Sequence, residues 1–513
     1  MQWCAPQRFL VPALKCGLLA AAAFYIAAFV GNATVRVPYK YELEWMEGGV
    51  VCHVERVLEG KSIYCEPSAE FVPFIYTPFY YYVSAAVARV VGLGFFPLRL
   101  VSLIASLGCA SLIMLIVVRR AHAPAFFGFL AAGFFMACFC VTGRWLDIAR
   151  VDPLFLMLLL SSIYAFQSPK PSVNSVLAAI LMFLAFFTKQ TALMVALPLC
   201  LWSVLFRTGW SRISFSLVFF AFLGLSTLLM NGVSDGWYSY YVFSLPKQHG
   251  IQQDMYWGYW QHDIFDYAGI AFIASALCIF RGRHASRGEW CFDLAVLGSL
   301  LFASWFSRLH SGGYLNVLLP AFAALAIFFG IGLFKAVAQA GNRRWLAACC
   351  YAIAIFQFQQ MFFQPSDQIP SRAATETGDM LMETIASVDG NVFMSSHPWY
   401  PGMTGKGTCA QNMAISDILR ASASSTQKAQ IQADILRRIE HRTYGALILD
   451  TREFPVGSRE LEENYRLVDS NLTPPIFTPL TGCALHPTFL YVRKDVLWQA
   501  KNTAAAGQTA APR

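Results

Sequence analysis

Long apolar blocks alternate with short polar segments over the first two thirds of the chain. Blocks such as 97–118 and 125–141 contain almost no charged residues, and an apolar run of about 17 to 25 residues matches the thickness of a bilayer core. The pattern therefore predicts a bundle of membrane-spanning helices. We predict eleven spans, at residues 10–33, 97–118, 125–143, 153–167, 174–188, 191–206, 213–231, 264–280, 290–306, 313–334 and 345–363.

The segment 74–92 is apolar but short, and it carries three consecutive tyrosines and an arginine. Counting it as a span would reverse the side of every later loop. If it lies at the interface instead, the cytoplasmic loops hold eleven Lys and Arg, and the short outer loops after the third span hold five. This excess follows the positive-inside rule, and aromatic segments suit the interface. We therefore predict an interfacial helix in the first outer loop.

After residue 363 the pattern changes to that of a water-soluble α/β domain. We predict a transmembrane module at 1–363, a linker at 364–371, an outer domain at 372–500 and a disordered Ala-rich tail at 501–513. The elements expected in the outer domain are helices at 372–387 and 427–441 and strands at 391–395, 445–450 and 489–493. The charge rule places this domain on the same outer, periplasmic face as the polar loops.

The composition agrees with a multi-pass membrane protein, which we expect in the inner (plasma) membrane. The 513 residues are 57% hydrophobic and only 13% charged, whereas about a quarter of the residues of a soluble domain are charged. The net charge of +8 comes from short clusters between apolar blocks. Because no basic arm or stacking platform accompanies them, we expect no nucleic-acid partner.

Fourteen cysteines are scattered along the chain, and no CxxC pair predicts a structural zinc site. Two pairs fall in segments predicted to be outside the membrane, Cys52 with Cys65 and Cys409 with Cys483. In an oxidising compartment each pair could form a disulfide, and free thiols are the equally good alternative.

The first outer loop contains Glu44 and Glu47, which are three residues apart and would share one face of a helix. A carboxylate just above a bilayer could act as a general base or hold a divalent cation such as Mg²⁺ or Mn²⁺. A solvated loop without a chemical role is the alternative.

The second outer loop contains Asp147, Arg150 and Asp152, at a membrane surface where an uncompensated charge is costly. Asp152 precedes Pro153, so it also fits the N-cap of a helix with proline at its first position. We expect this structural role more for Asp152 than for Asp147 or Arg150.

Two further segments place polar side chains at the ends of spans. Lys189 and Gln190 lie between two apolar blocks with almost no loop, where a lysine could bind a phosphate or extend to water. Arg308 and His310 precede a span that contains Asn316. An amide in that position either bonds to a neighbouring helix or lines a site.

Taken in order, the outer segments form a series of loose motifs. The series is an acidic loop after the first helix, Gly-x-x-x-Tyr, Tyr-x-Pro, Asp-x-x-Arg-x-Asp, Lys-Gln-Thr and Gly-x-x-Asn. It resembles the integral-membrane glycosyltransferases of the C-type fold over roughly residues 10–365. The chain is similar above all to bacterial members of the protein-mannosyltransferase-like group and to the aminoarabinose transferase that acts on lipid A.

This resemblance implies transfer of a sugar from a polyprenyl-phosphate carrier to a lipid, glycan or protein acceptor at the outer face, usually with inversion. Glu47 matches the Glu of the family's Asp-Glu pair. Because Met46 breaks that pair, Glu44 is a rival for the role of base. Asp147 matches the second acidic position, and the adjoining Arg150 and Asp152 complete that motif.

The resemblance also leaves the donor phosphate to be bound from elsewhere, since Tyr76-Thr-Pro replaces the acid-Lys-Pro element of some relatives. We expect the phosphate to contact a group of cations, namely Lys189, Arg150 and Arg308. The other residues expected at the site are Asp152, Tyr76, Gln190, His310 and Asn316. A divalent cation is the one cofactor that the interpretation leaves open.

Two other classes of protein compete with an enzyme. A transporter or flippase of a lipid-linked glycan would place its polar site near the middle of the bilayer, with broken helices and internal repeats. The sequence shows no such repeat, and its ionisable residues lie at the ends of spans. A scaffold protein would not explain charged residues that recur in the family's order. The pattern therefore favours an enzyme.

Overall fold

The computed structural model describes residues 6–167, 171–281, 285–421, 425–452 and 456–496. The described chain is mainly helical, and it has a single small sheet near its C-terminus. The predicted fold class is thereby confirmed in its coarse form. The predicted tail at 501–513 lies outside the described residues.

The first two thirds of the chain are a helical bundle. Its helices in chain order are α1 (Pro6–Arg36), α2 (Glu47–Leu58), α3 (Phe79–Val91), α4 (Phe95–Ala121), α5 (Ala125–Ala137), α6 (Asp152–Phe166), α7 (Pro171–Thr188), α8 (Ala192–Phe206), α9 (Ser214–Val233), α10 (Trp237–Ser239), α11 (Met255–Gly258), α12 (Asp266–Phe280), α13 (Arg287–Leu309), α14 (Leu319–Ala340) and α15 (Arg344–Gln359). Each of the eleven predicted spans overlaps one of these helices.

Among the described residues, six helical segments are long and apolar enough to cross a membrane. They are Phe9–Arg36, Phe95–Ala121, Ser214–Val233, Met255–Phe280, Arg287–Leu309 and Leu315–Ala340. Five apolar helices are shorter, namely Phe79–Val91, Ala125–Ala137, Asp152–Phe166, Val173–Thr188 and Ala192–Phe206. The number of eleven spans therefore stays a prediction. The segment predicted to lie at the interface forms α3, which has 13 residues and packs against α2 and α4.

The centre of the bundle is α14, which packs against α4, α5, α12, α13 and α15. Its sequence is apolar on all sides, as expected of a helix that other helices surround. Small residues let the neighbours come close. A Cβ added at Gly330 would lie 3.0 Å from the Ala131 side chain and 3.1 Å from the Phe127 carbonyl oxygen. The bundle is thus closely packed beneath the outer loops.

The C-terminal domain contains helices and a four-stranded sheet. Its helices are α16 (Arg372–Ser387), α17 (Trp399–Met403), α18 (Asn412–Leu419), α19 (Thr426–Glu440) and α20 (Ser458–Asn464). Its strands are β1 (Val392–Phe393), β2 (Ala446–Leu449), β3 (Tyr465–Asp469) and β4 (Phe489–Arg493). The strand order is β1-β2-β4-β3, with β1 and β2 parallel and the other pairs antiparallel.

Strand β3 was not predicted. It lies at one edge of the sheet, and only its first residue, Tyr465, is fully buried. A half-exposed edge strand has a weak apolar pattern, whereas β2, which is buried at all four positions, was recognised. The cysteines Cys52, Cys65, Cys409 and Cys483 are free thiols in this structure.

Candidate active site

The first and second outer loops meet through a buried network that contains Glu44, Arg150 and Tyr76. Glu44 lies in the turn before α2, and Arg150 lies just before α6. Arg150 Nη1 is 3.5 Å from Glu44 Oε2, and its Nη2 donates to the Tyr76 hydroxyl at 3.2 Å. The Arg150 and Glu44 side chains are 3% and 1% exposed. The structure therefore brings the acidic loop and the Asp-Arg-Asp motif together.

The same network continues to Lys189, Asp152 and Asn316. Lys189 Nζ donates to Asp152 Oδ1 at 2.6 Å, and Asn316 Nδ2 donates to the same oxygen at 3.0 Å. Tyr76 joins the two halves, because Arg150 and Lys189 lie 5.7 and 5.9 Å from the centre of its ring. Six predicted residues from five separate segments thus form one polar cluster at the ends of the helices.

The predicted N-cap role of Asp152 is wrong. Asp152 is the first residue of α6, the capping position belongs to Val151, and no side chain caps this helix. The Asp152 carboxylate instead points to Lys189 and Asn316, and its Oδ2 has no hydrogen-bond partner among the described residues. The tertiary ion pair prevails over the local cap that the Asp-Pro sequence allows.

Glu44, like Asp152, has one oxygen without a partner among the described residues, whereas Glu47 and Asp147 have partners on both oxygens. The Glu44 Oε1 is buried without a hydrogen bond within the described part of the chain. Burial raises the pKa of Glu44 to about 8, although the nearby Arg150 lowers it, and Glu47 adds a further rise. A carboxyl group with such a pKa can take up a proton near neutral pH, which suits general-base chemistry.

Glu47 has partners on both oxygens. Arg99 donates to them at 2.8 and 2.6 Å, and the backbone N–H groups of Ala149 and Leu43 each donate at 2.7 Å. Burial opposes ionisation of Glu47, but Arg99 and these N–H groups outweigh it and hold the pKa below its usual value. Glu47 is therefore an ionised carboxylate that ties the first outer loop to α4 and to the second loop.

Asp147 is bound in a similar way by Arg36, at the C-terminal end of α1. Arg36 Nε and Nη2 donate to the two carboxylate oxygens at 2.6 and 2.9 Å, and both side chains are fully buried. Such bidentate pairs fix geometry as well as charge. The Arg36 Nη1 also donates to the Gln368 carbonyl at 2.8 Å, so the predicted linker is packed against this pair.

The sequence interpretation missed Arg36 and Arg99. A signal for both was present, because Arg99 lies inside an apolar block and Arg36 ends one. Charged residues in such positions are rare and are almost always paired. Arg99 also donates to the carbonyls of Tyr39 and Tyr41 at 2.7 and 2.6 Å, so that it organises the whole start of the first outer loop.

Three predicted residues have partners other than the six-residue network. Gln190 donates to the carbonyl of Ile75 at 2.8 Å and so holds the segment that carries Tyr76. Arg308 pairs with Asp263 at 2.8 Å. The His310 ring lies 5.0 Å from the His249 ring, and its Nε2 is 3.3 Å from a backbone carbonyl.

The C-terminal domain supplies a further buried acid, Asp417 of α18, which the sequence interpretation also missed. Burial raises the pKa of Asp417 to about 6, while Arg420, His310 and Arg150 lower it. Burial raises the pKa of Tyr76, and the negative charges of Asp152 and Asp417 add to that rise. Asp417 therefore lies within electrostatic range of the network, and no local pattern in the sequence marks it.

A short segment of the same domain, residues 480–483, lies directly on Glu44. Thr481 donates its backbone N–H to the Leu43 carbonyl at 3.1 Å, beside Glu44. Gly482 has φ +82°, and a Cβ there would come within 2.9 Å of Glu44 Oε1. Only glycine allows both this backbone conformation and this close approach. We call residues 480–483 the covering segment.

No group of three or more His, Cys, Asp or Glu side chains in the described part of the chain is arranged to hold a metal ion. In the network, Glu44 lies beside Arg150, and Asp152 lies beside Lys189. The positive charges that the structure shows in the cluster are those of Arg150 and Lys189. The divalent cation stays a prediction from the sequence.

Comparison with solved structures identifies the fold. The chain is similar to ArnT from Cupriavidus metallidurans in the apo state, with TM-score 0.57 and 13% identity, covering 92% of this chain and 98% of that one. The complex of ArnT with undecaprenyl phosphate gives TM-score 0.58, 13% identity and coverage of 92% and 97%.

A third similar structure is the oligosaccharyltransferase AglB from Archaeoglobus fulgidus, in complex with an inhibitory peptide and a dolichol-phosphate. It has TM-score 0.53 and 12% identity, with coverage of 85% of this chain and 69% of that one. Comparisons with protein-family models and with curated proteins found no match. The chain therefore has the fold of these membrane glycosyltransferases, as the order of the sequence motifs predicted.

Proposed function

We propose that this chain is a membrane glycosyltransferase that moves a sugar from a polyprenyl-phosphate carrier to an acceptor at the outer face of the membrane. The observation that carries the proposal is the buried Glu44 carboxylate, which has one unpartnered oxygen and lies in a cluster with Arg150 and Lys189. The shared fold supports it, because similar structures bind undecaprenyl phosphate and a dolichol-phosphate.

In this proposal Arg150 and Lys189 bind the donor phosphate. When the bond between the sugar and the phosphate breaks, its electron pair stays with the departing lipid phosphate, and nearby cations stabilise that negative charge. Both side chains are buried at the ends of helices, beside Tyr76. A phosphate at this position leaves the polyprenyl tail in the bilayer.

Glu44 acts as the base. The acceptor hydroxyl or amine loses its proton to the Glu44 carboxylate as its oxygen or nitrogen forms the new bond to the sugar. Attack from the face opposite the departing phosphate inverts the anomeric carbon. Glu47 and Asp147, the other acids predicted to be catalytic, hold the two loops through Arg99 and Arg36.

Contacts between the first outer loop and the C-terminal domain support placing both on one side of the membrane. Tyr41 donates its hydroxyl to Asp379 at 2.6 Å, and Gln411 donates to the Trp45 carbonyl at 3.3 Å. We propose that this side is the periplasmic one and that the protein lies in the inner membrane, as the loop charges predict. The acceptor then approaches from the side of the membrane on which the C-terminal domain lies.

The proposal is tested with donors from the cell itself. Lipid extracts of a deletion strain and its parent are compared for a polyprenyl-phosphate sugar that accumulates when the protein is missing. That lipid is then radiolabelled and added to proteoliposomes that contain the purified protein and an acceptor extract. We expect label in the acceptor fraction only when the protein is present. The proposal would be contradicted if the deletion strain accumulated no carrier-linked sugar and the purified protein transferred none.

A further inference from the structure

A group of three buried ionisable side chains connects the first outer loop to the C-terminal domain. His397 lies just before α17, Glu42 lies in the turn before α2, and Asp450 follows β2. His397 Nδ1 contacts Glu42 Oε2, and its Nε2 lies 3.2 Å from Asp450 Oδ1. The three side chains are between 0% and 4% exposed. None of them takes part in the chemistry proposed above.

Two flanking carboxylates favour the charged form of His397. Nδ1 contacts Glu42, whereas Nε2 lies at ion-pair distance from Asp450 and has no hydrogen bond among the described residues. The imidazolium carries an N–H on each nitrogen, so its charge faces both acids. Burial disfavours the charged form, but Asp450 and Glu42 outweigh burial and raise the pKa of His397 to about 10. The group is therefore a positive ring between two acids, closed off from water.

Glu42 also makes hydrogen bonds within the first outer loop and to the C-terminal domain. Its second oxygen, Oε1, accepts the backbone N–H of Gly48 at 3.1 Å, and its own N–H donates to the Tyr400 hydroxyl at 3.1 Å. The Tyr400 ring is stacked on His397, with centroids 5.3 Å apart and an interplanar angle of 6°. Glu42 thus holds both ends of the turn 42–48, and Glu44 lies between them.

We propose that His397 is a positioning residue for the transfer reaction, which fixes the turn that carries Glu44 by holding Glu42 from the C-terminal domain. The inference rests on the proposed function for its effect on catalysis. The C-terminal domain is then a part of the active site, because it sets the position of the base as well as covering it.

Energetics favour this role over simple stabilisation. Removing three ionisable groups from water is expensive, and apolar residues of the same volume often stabilise a fold equally well. Such a group instead fixes the position of nearby side chains. This matters for catalysis, because a displacement of about 1 Å at a catalytic group can lower a rate by about 10²-fold. Within the turn, Glu47 accepts the N–H groups of Leu43 and Glu44. Thr481 and Gln411 also hold it from the C-terminal domain, so His397 is one of several contacts that place it.

The first test is His397→Gln in the full-length protein, assayed with the radiolabelled donor. We expect kcat to fall by about 10²-fold, while the KM for the donor stays within about twofold, because Arg150 and Lys189 are untouched. Arg459→Gln, which removes an exposed ion pair of the same domain, is the matched control and should retain wild-type kcat. An unchanged kcat, or a loss confined to the donor KM, would overturn the proposal.

Asp450→Asn is the second variant, because it keeps the contact between His397 and Glu42 and removes only the outer acid. We expect a smaller fall in kcat, about tenfold. If His397→Gln does not give a folded protein by size-exclusion chromatography, Asp450→Asn decides the question. Wild-type kcat in a folded Asp450→Asn protein would then contradict the inference.

Hydrogen–deuterium exchange gives a readout that does not depend on activity. In the wild type the amides of Glu42 and Gly48 are bonded, so we expect slow exchange. His397→Gln should speed exchange of these amides by about tenfold or more, and Arg459→Gln should not. If the wild type transfers no sugar, the proposed function fails, and exchange alone tests whether His397 holds the turn. Unchanged exchange at residues 42–48 would refute that hold.

Discussion

The outer loops contain two kinds of buried acid, which differ in how fully their oxygens are occupied. Glu47 and Asp147 each form a bidentate pair with one arginine. Glu44 meets Arg150 through a single contact of 3.5 Å and keeps one oxygen unpartnered. All three are buried to the same degree. Burial and a nearby arginine are therefore shared features, and the unpartnered oxygen sets Glu44 apart from Glu47 and Asp147.

The largest expected effect is the loss of transfer activity in Glu44→Gln. Loss of a general base lowers a rate by about 10²- to 10⁴-fold, so transfer from the radiolabelled donor should nearly vanish. Thermal unfolding at pH 7 should stay as in the wild type, because glutamine has the shape of the protonated side chain, and the pKa of Glu44 is about 8. Transfer at the wild-type rate by this variant would show that Glu44 is not the base.

Glu47→Gln should show the opposite behaviour and lose stability first. The substitution leaves the Arg99 charge buried without its counter-ion, and breaking a buried pair in this way costs about 3–5 kcal/mol. Thermal unfolding in detergent measures the loss. Glu463→Gln, which breaks an exposed pair with Arg459, is the control and should change stability by less than about 1 kcal/mol. Equal melting temperatures for the two variants would show that the Glu47–Arg99 pair does not stabilise the fold.

Lys189→Gln tests the cationic half of the network. Loss of one group that stabilises the leaving phosphate should lower kcat by about 10²-fold. Lys189→Arg keeps a positive charge beside Asp152 and should recover part of that loss. Steady-state transfer rates for the two variants make the comparison. Equal activity of Lys189→Gln and the wild type would remove Lys189 from the proposed site.

The pH dependence of transfer distinguishes the two rival bases. A base must be ionised, and burial raises the pKa of Glu44 to about 8, so the rate should rise about tenfold from pH 7 to pH 9. The pKa of Glu47 is held below its usual value, so Glu47 stays ionised over this range. A rate that does not change between pH 7 and pH 9 would favour Glu47 over Glu44.

Sequence reasoning located the segments of the site better than the contacts within it. Arg150 and Lys189 were named because they lie at the ends of apolar blocks, and Glu44 was named because it shares the acidic first outer loop with Glu47. The partners of Asp147 and Glu47 were not recognised, since the Arg36–Asp147 pair spans 111 residues and the Arg99–Glu47 pair spans 52. Local rules also failed at Asp152, where a lysine 37 residues away replaced the expected cap.

The contribution of the C-terminal domain was the least predictable part. The strands β1, β2 and β4 have buried apolar patterns and were recognised, but β3 at the edge was not. His397 and Asp417 lie in stretches without a recognisable motif, and His397 meets Glu42 across 355 residues of chain. His397 meets Glu42 only because the domain packs onto the first outer loop, and the carbonyl of Asp417 meets the His249 ring across 168 residues.

The covering segment also affects whether water can reach Glu44. Residues 480–483 lie on Glu44, and a methyl group at Gly482 would already crowd its oxygen. If Glu44 is the base of the proposed transfer, water that reached it would hydrolyse the bond between the sugar and its phosphate. The covering segment keeps the Glu44 side chain dry, so the same contact would suppress that wasteful hydrolysis.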